Sequence, residues 1–320
     1  MARWRVLDSS MTWTTNDIPD QTNRVAIVTG ANSGLGYETS LALAQKKATV
    51  VMACRNMDKG ESAKNQVLEH VPDAKIDLRT LDLSSLASVR DFAAGFKNDY
   101  DRLDLLMNNA GLMALPRRET ADGFESQFGV NHLGHFALTG VLLDRLLATD
   151  NSRVVNVSSG AHKMYPQINF ADLRGEKEYK RWDAYGQSKF ANILFTKELQ
   201  RRFEHVTTSC IAVAAHPGIA ATKLQTTTAA TADASWLEVF LLSRVTPLLG
   251  QSPAAGALSQ LRAATALDVT GSQYYGPKWW GIRGAPILEE PHKNTQDTEM
   301  ASQLWDVSCE LTGVDYQALR

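Results

Sequence analysis

Tyr185 and Lys189 stand four positions apart, a spacing that stacks them one turn apart on the same face of a helix. The flanking run from about Trp182 to Phe203 predicts that helix. Apolar Phe190, Ile193, Leu194 and Leu199 recur at helical spacing, and Lys197, Arg201 and Arg202 gather towards its end. A tyrosine hydroxyl titrates near pH 10, and burial pushes it higher, away from useful proton exchange at neutral pH. An ammonium about 5 Å away, at an effective dielectric near 20, favours the phenolate by roughly 3 kcal/mol, or about two pKa units. The pair can then act as a general acid/base near pH 7. Tyr-x-x-x-Lys is common on solvated helix faces, so its meaning rests on the rest of the chain.

A second stretch handles anions. Thr29-Gly30-Ala31-Asn32-Ser33-Gly34-Leu35-Gly36 follows a β-branched run, Arg24–Val28, and precedes a predicted helix from Tyr37 to about Lys46. Glycines at this junction let backbone approach a pyrophosphate, and the helix N-terminus offers N–H groups to it. About twenty residues on, the second strand ends in Ala53-Cys54-Arg55 with no acid. An acid there would accept from an adenosine ribose hydroxyl and repel a 2′-phosphate, whereas an arginine does the reverse. Arg55, with Asn32, Ser33 and Lys59, therefore points to NADP(H) rather than NAD. Asp82-Leu83, at the end of the third strand, either touches the adenine or supplies the N-cap of the next helix through Asp82.

Two further stretches close strands. Leu103–Met107 runs into Asn108-Asn109-Ala110-Gly111, and Arg153–Val157 runs into Ser158-Ser159. Successive strand residues face opposite sides, so only one of these hydroxyls can enter a cleft, and the residues alone leave open which. His132 and His135 are three apart without a nearby third ligand and read as core or surface histidines, with no metal site expected. His216 reads as local structure before Pro217. Asn156-Val157-Ser158 matches a glycosylation acceptor but lies in a predicted buried strand. Trp236, Trp279 and Trp280 either line a lipophilic pocket or pack the C-terminal lobe.

The elements that must position these residues alternate. Strands are predicted at Arg24–Val28, Ala48–Ala53, Lys75–Leu81, Leu103–Met107, Arg153–Val157, Ser209–Val213 and near Gln273–Tyr275. Helices are expected between them, including a long one from about Phe124 to Leu147. That rhythm describes one α/β, doubly wound domain with a mostly parallel sheet over residues 23–320, preceded by a leader at 1–22. Residues 161–182 and 219–250 interrupt it. The second contains the apolar Trp236–Leu242 and is read as a substrate lid, with a peripheral membrane contact as the other reading. With 44% hydrophobic and 21% charged residues, the 320-residue chain can bury a large core. A net charge of -2 gives no general attraction to nucleic acid or anionic membrane. Three scattered cysteines suit reduced thiols, and no stretch reaches the 18 or so apolar residues of a membrane span. A cytoplasmic location is expected.

From Val25 to Tyr275 the chain resembles a short-chain dehydrogenase/reductase. The resemblance is carried by Thr29-Gly30…Gly34…Gly36, Asp82-Leu83, Asn108-Asn109-Ala110-Gly111, Asn131, Ser158-Ser159, Tyr185…Lys189 and Pro217-Gly218…Thr222. Met52-Ala53-Cys54-Arg55, Asn131-His132-Leu133-Gly134-His135-Phe136 and Leu304–Ser308 resemble its retinol dehydrogenase and WW-domain oxidoreductase branch. The resemblance implies a Rossmann fold with a seven-stranded sheet and helices on both faces. It implies hydride transfer between NADP(H) and a lipophilic carbonyl or alcohol, with Tyr185 as acid/base and Ser159, the second serine, as the fixed donor. Lys189 would hold the nicotinamide ribose, and Asn131 would order a water behind it. The backbone of Asn109, Ala110 and Gly111 would border the adenosine side. Pro217-Gly218-Ile219 would give a backbone N–H to the carboxamide, with help from Thr222. Related enzymes pair into dimers or tetramers through outer helices. Many retinol dehydrogenases carry an N-terminal membrane anchor, and no apolar stretch of that kind opens this sequence. Two rivals remain: a light-dependent protochlorophyllide reductase-like enzyme, which shares the Met52–Arg55 and Asn131–His135 motifs, and a non-catalytic NADP(H)-binding regulator.

Overall fold

Four short, mostly apolar runs become four of the strands of the sheet. They are β1 (Val25–Thr29), β2 (Thr49–Cys54), β4 (Leu105–Asn108) and β5 (Arg153–Val157). Helices cover both faces, so these strands are apolar on each side. Along β1, Val25 and Ile27 enter one core while Ala26 and Val28 enter the other, and β2 alternates likewise. The first core is closed by α3 (Leu86–Asp99), α5 (Gly134–Val141), α7 (Arg181–His205) and α9 (Thr298–Thr312). The second is closed by α1 (Gly34–Gln45), α2 (Met57–His70) and α8 (Pro253–Thr265). The computed structural model describes residues 12–220 and 250–320.

With β3 (Lys75–Thr80), β6 (Ile211–Ala215), β7 (Tyr274–Trp279) and β8 (Arg283–Leu288), the sheet has eight strands in the order β3-β2-β1-β4-β5-β6-β7-β8. All pairs are parallel except the last, β7 with β8. The chain moves outward from β1 to β3 and then returns to β1's other side at β4. Strand order therefore reverses between β1 and β4, and ligands of open α/β sheets bind at the carboxyl ends of strands flanking such a point. Both the glycine turn and Asn109-Ala110-Gly111 lie there.

Two expectations need correction. The sheet has eight strands where seven were expected. β8 is joined to β7 by a tight turn in which Trp280 (φ 52°) and Gly281 (φ 69°) are both left-handed. The predicted helix from Phe124 to Leu147 is broken into α4 (Ser126–Phe128), a π-helical turn (Gly129–Leu133), α5 and α6 (Leu143–Leu147). A Cβ on Gly134 would sit 2.5 Å from the Leu83 carbonyl, so the chain passes the third-strand loop too closely for an ordinary helix face. Part of the leader is docked, with Ile18 in the second core and the Gln21 N–H donating to Lys46 O at 2.8 Å. Thr222, the Trp236–Leu242 run and nearly all of the 219–250 segment lie outside the described residues, as do residues 1–11. Among the described residues no helix is long and apolar enough to cross a membrane.

Candidate active site

The turn after β1 is built for close approach. Gly30 is left-handed (φ 65°), and a Cβ on Gly36 would overlap the Gly30 carbonyl. Ser33 is the N-cap of α1, but its side chain makes no capping bond, so the helix's first N–H groups stay directed at the cleft. Thr29 fixes the turn against β4. Its Oγ1 accepts from the Asn109 and Ala110 N–H groups, both at 2.9 Å, and lies 2.9 Å from His135 Nε2. His135 Nδ1 faces the Asn131 carbonyl at 3.1 Å. The imidazole is therefore a buried link between the glycine turn and the π-helical turn, which the sequence reading missed.

The open cleft beside this turn has a volume of about 260 Å³ and is lined by Gly30, Asn32, Ser33, Gly34, Leu35, Gly36, Arg55, Asp82, Leu83, Asn109, Ala110 and Gly111. The bare helix terminus and the glycine cradle suit a pyrophosphate. Arg55 is exposed, makes no ion pair with any described residue, and has no acid beside it at the end of β2. Asn32 and Ser33 also line an adjoining hollow with Lys59 and Asp58. Asp82 is not the N-cap of α3, because Ser85 is. Its Oδ1 instead accepts from the Ser84 N–H at 2.9 Å. Both ends of the Asn109 amide are held by protein, Nδ2 donating to Thr29 O at 2.7 Å and Oδ1 accepting from Gln260 at 3.1 Å.

Beyond Gly111 the cleft meets the Tyr185 helix. A Cβ on Gly111 would lie 3.3 Å from Lys189 Nζ and 3.1 Å from Asn131 Oδ1. Lys189 Nζ donates to Val157 O at 3.1 Å and stands 5.9 Å from the centre of the Tyr185 ring. The two serines divide as strand geometry requires. Ser158 Oγ turns inward and donates to Lys189 O at 2.7 Å, while the half-buried Ser159 hydroxyl accepts from the Ala161 N–H at 3.2 Å and lies beside the Tyr185 phenol. Asn131 is held by protein groups. Its side chain is engaged with Leu112, accepting from N at 2.7 Å and donating to O at 2.9 Å, and also donates to Ser188 Oγ at 2.9 Å. It clamps the β4 loop to α7, and none of its side-chain bonds runs to Lys189.

The electrostatics reverse one argument. Burial pushes the Tyr185 hydroxyl above its ordinary value, and the Ser159 bond only partly opposes this. Burial also lowers Lys189 to about 8. The argument from spacing let the ammonium outweigh burial, but in the fold burial is the larger effect and the tyrosine moves up. Tyr185 is a protonated phenol at neutral pH, ready to donate.

The Pro217–Ile219 segment also departs from expectation. Proline has no N–H, the Gly218 N–H donates to His216 Nδ1 at 3.3 Å, and the Ile219 N–H donates to Ile282 O at 2.9 Å. Both amides expected at a carboxamide already have acceptors. Pro217 still borders the cofactor turn, since a Cβ on Gly256 would meet Leu35 at 2.9 Å and Pro217 at 3.5 Å. His132 and His135 are core residues, the first 2.9 Å from Ser308 Oγ. Trp279 and Trp280 are 57% and 92% exposed and do not pack the C-terminal lobe.

A short chain dehydrogenase family profile matches residues 24–233. Mouse retinol dehydrogenase 12 is 39% identical over 298 residues, 92% of this chain and 88% of that protein. The solved structure of an uncharacterised protein from Mycobacterium paratuberculosis is 40% identical, with a TM-score of 0.77, and covers 96% of this chain and 99% of that one. An Escherichia coli short chain dehydrogenase solved with NADPH is 25% identical, with a TM-score of 0.54, over 67% of this chain and 85% of its own. The profile match spans most of the chain, glycine turn and Tyr185 helix included, and with the identity to these relatives it makes this chain a member of the short chain dehydrogenase family, an oxidoreductase.

Proposed function

We propose that the protein is an NADP(H)-dependent reductase or dehydrogenase of lipophilic carbonyls and alcohols, with Tyr185 as its proton donor and acceptor. The contact between the Tyr185 oxygen and the Ser159 hydroxyl, beside Lys189 at the end of the dinucleotide cleft, carries this reading. The bound cofactor supplies or accepts the hydride. Ser159 holds the substrate oxygen, and Tyr185 gives that oxygen its proton as negative charge develops. Lys189 holds the nicotinamide ribose and keeps a positive charge near the phenol. Asn131 is a positioning residue that holds Gly111 and α7 together. Arg55, which makes no ion pair with any described residue, supports NADP(H) over NAD. The lipophilic class rests on the relatives named retinol dehydrogenase.

The test is cofactor oxidation in the dark across retinal, steroid ketones and small polar aldehydes, with NADPH and NADH in parallel. Turnover with NADPH on the apolar members is the expected result. Turnover only under illumination would favour the protochlorophyllide-type reading, and NADPH binding without turnover anywhere would favour a regulator.

A further inference from the structure

A second buried ionisable pair lies at the ends of β6 and β8 and has no place in the chemistry above. His216 Nε2 is 3.0 Å from Glu289 Oε2, with side chains 3% and 14% exposed. The other imidazole nitrogen, Nδ1, accepts the Gly218 N–H at 3.3 Å. Both nitrogens are thereby assigned: Nε2 carries the proton and gives it to the carboxylate, and Nδ1 is the acceptor. Burial alone would raise the Glu289 pKa, but the hydrogen bond from His216 and nearby positive charge hold it below the usual carboxylate value. The ring lies flat on Tyr274, 5.2 Å between centroids at 15°.

The fold makes room for this pair. A Cβ on Gly276, in the middle of β7, would overlap His216 Nε2 and approach Glu289 Oε1 to 2.6 Å. The pair also reaches the active site through a short chain of contacts. The Tyr274 hydroxyl is 3.4 Å from His162 Nδ1, and that nitrogen is 2.6 Å from Ser159 O. On its other side the pair holds Gly218, next to Pro217, which lies across Gly256 from Leu35 of the cofactor cleft. The remaining polar groups there are fixed as well, with Pro217 O accepting from Gln251 Nε2 at 2.7 Å and the Ile219 N–H donating to Ile282 O at 2.9 Å.

We propose that Glu289, acting through His216, is a positioning residue for the nicotinamide end of the cofactor. Its carboxylate selects the imidazole tautomer that accepts the Gly218 amide, and so fixes the Pro217–Gly218 backbone that packs beside Leu35 at the edge of the cleft. This rests on the reading that NADP(H) binds with its nicotinamide beside Tyr185. Loss of the carboxylate leaves the imidazole free to change tautomer, and an Nδ1–H would repel the Gly218 N–H and turn the segment. The adenosine end, held by the glycine turn and Arg55, is untouched.

The experiment is calorimetric titration of the full-length protein with NADPH and with adenosine 2′,5′-bisphosphate, which occupies only the adenosine end. In Glu289→Ala the Kd for NADPH rises about tenfold while that for the bisphosphate is unchanged. Glu289→Gln, which still offers an oxygen to Nε2–H, restores most of the NADPH affinity. Gly276→Ala, which keeps both side chains but forces them apart, reproduces the alanine effect if Glu289→Ala does not fold. Unchanged NADPH affinity in Glu289→Ala and Gly276→Ala, or parallel loss of both ligands, overturns the proposal. A wild-type protein that binds the bisphosphate but not NADPH overturns the cofactor reading itself, and the proposal with it.

Discussion

Burial keeps Tyr185 protonated, and the Ser159 hydroxyl is the group that reaches its oxygen. That assigns unequal weights to two adjacent serines. Ser158 donates to a backbone carbonyl of α7, so it holds the lysine-bearing helix against β5. Ser159 lies beside the phenol. Ser159→Ala is expected to lower kcat about 100-fold or more with the Kd for NADPH unchanged, since a donor to a developing alkoxide acts in the transition state. Steady-state kinetics with cofactor titration checks this. Spacing revealed that Tyr185 and Lys189 share a face, because a helix repeat is local information. It did not reveal the direction of the tyrosine's pKa, which depends on how much water the fold removes. Nor did it pair His216 with Glu289, whose contact spans 73 positions.

At the scale of elements, the β7–β8 turn carries a cost. Trp280 adopts a left-handed φ of 52° in a turn closed by the Ile282 N–H to Trp279 O bond at 2.9 Å. Two left-handed central residues favour Asn-Gly, and a bulky side chain there is strained. Since Trp280 is 92% exposed, Trp280→Asn removes little packing and is expected to stabilise the fold by about 0.5–1 kcal/mol, read as a raised Tm. An unchanged or lowered Tm would show that the indole makes a compensating contact. Legibility followed the same local rule. The glycine turn, the central strands and α7 were visible because their signals lie within a few residues. β8 was not, because Arg283-Gly284-Ala285-Pro286 has little strand character and is defined by pairing with β7. The π-helical turn at Asn131 was not visible either, since its partner Leu112 lies 19 positions away.

Across the whole molecule, stability should depend on acid. His132 and His135 are lowered to about 3 and His162 to about 4, all chiefly by burial. An unfolded histidine titrates near 6.5, so between about pH 6.5 and 4 the unfolded chain binds more protons and stability falls as pH falls. Each histidine contributes at most about 1.4 kcal/mol per pH unit. Glu38 and Glu125, raised by burial, oppose this weakly at the lower end. Urea midpoints are expected to drop steadily from pH 7 to 5, and a flat profile would contradict neutral buried imidazoles. The central claim concerns one proton. Single-turnover oxidation of bound NADPH by a reactive carbonyl, comparing wild type with Tyr185→Phe, tests it most directly. The account expects unchanged NADPH affinity and a hydride-transfer rate lower by about 1000-fold. A Tyr185→Phe protein that turns over at near wild-type rate would contradict it.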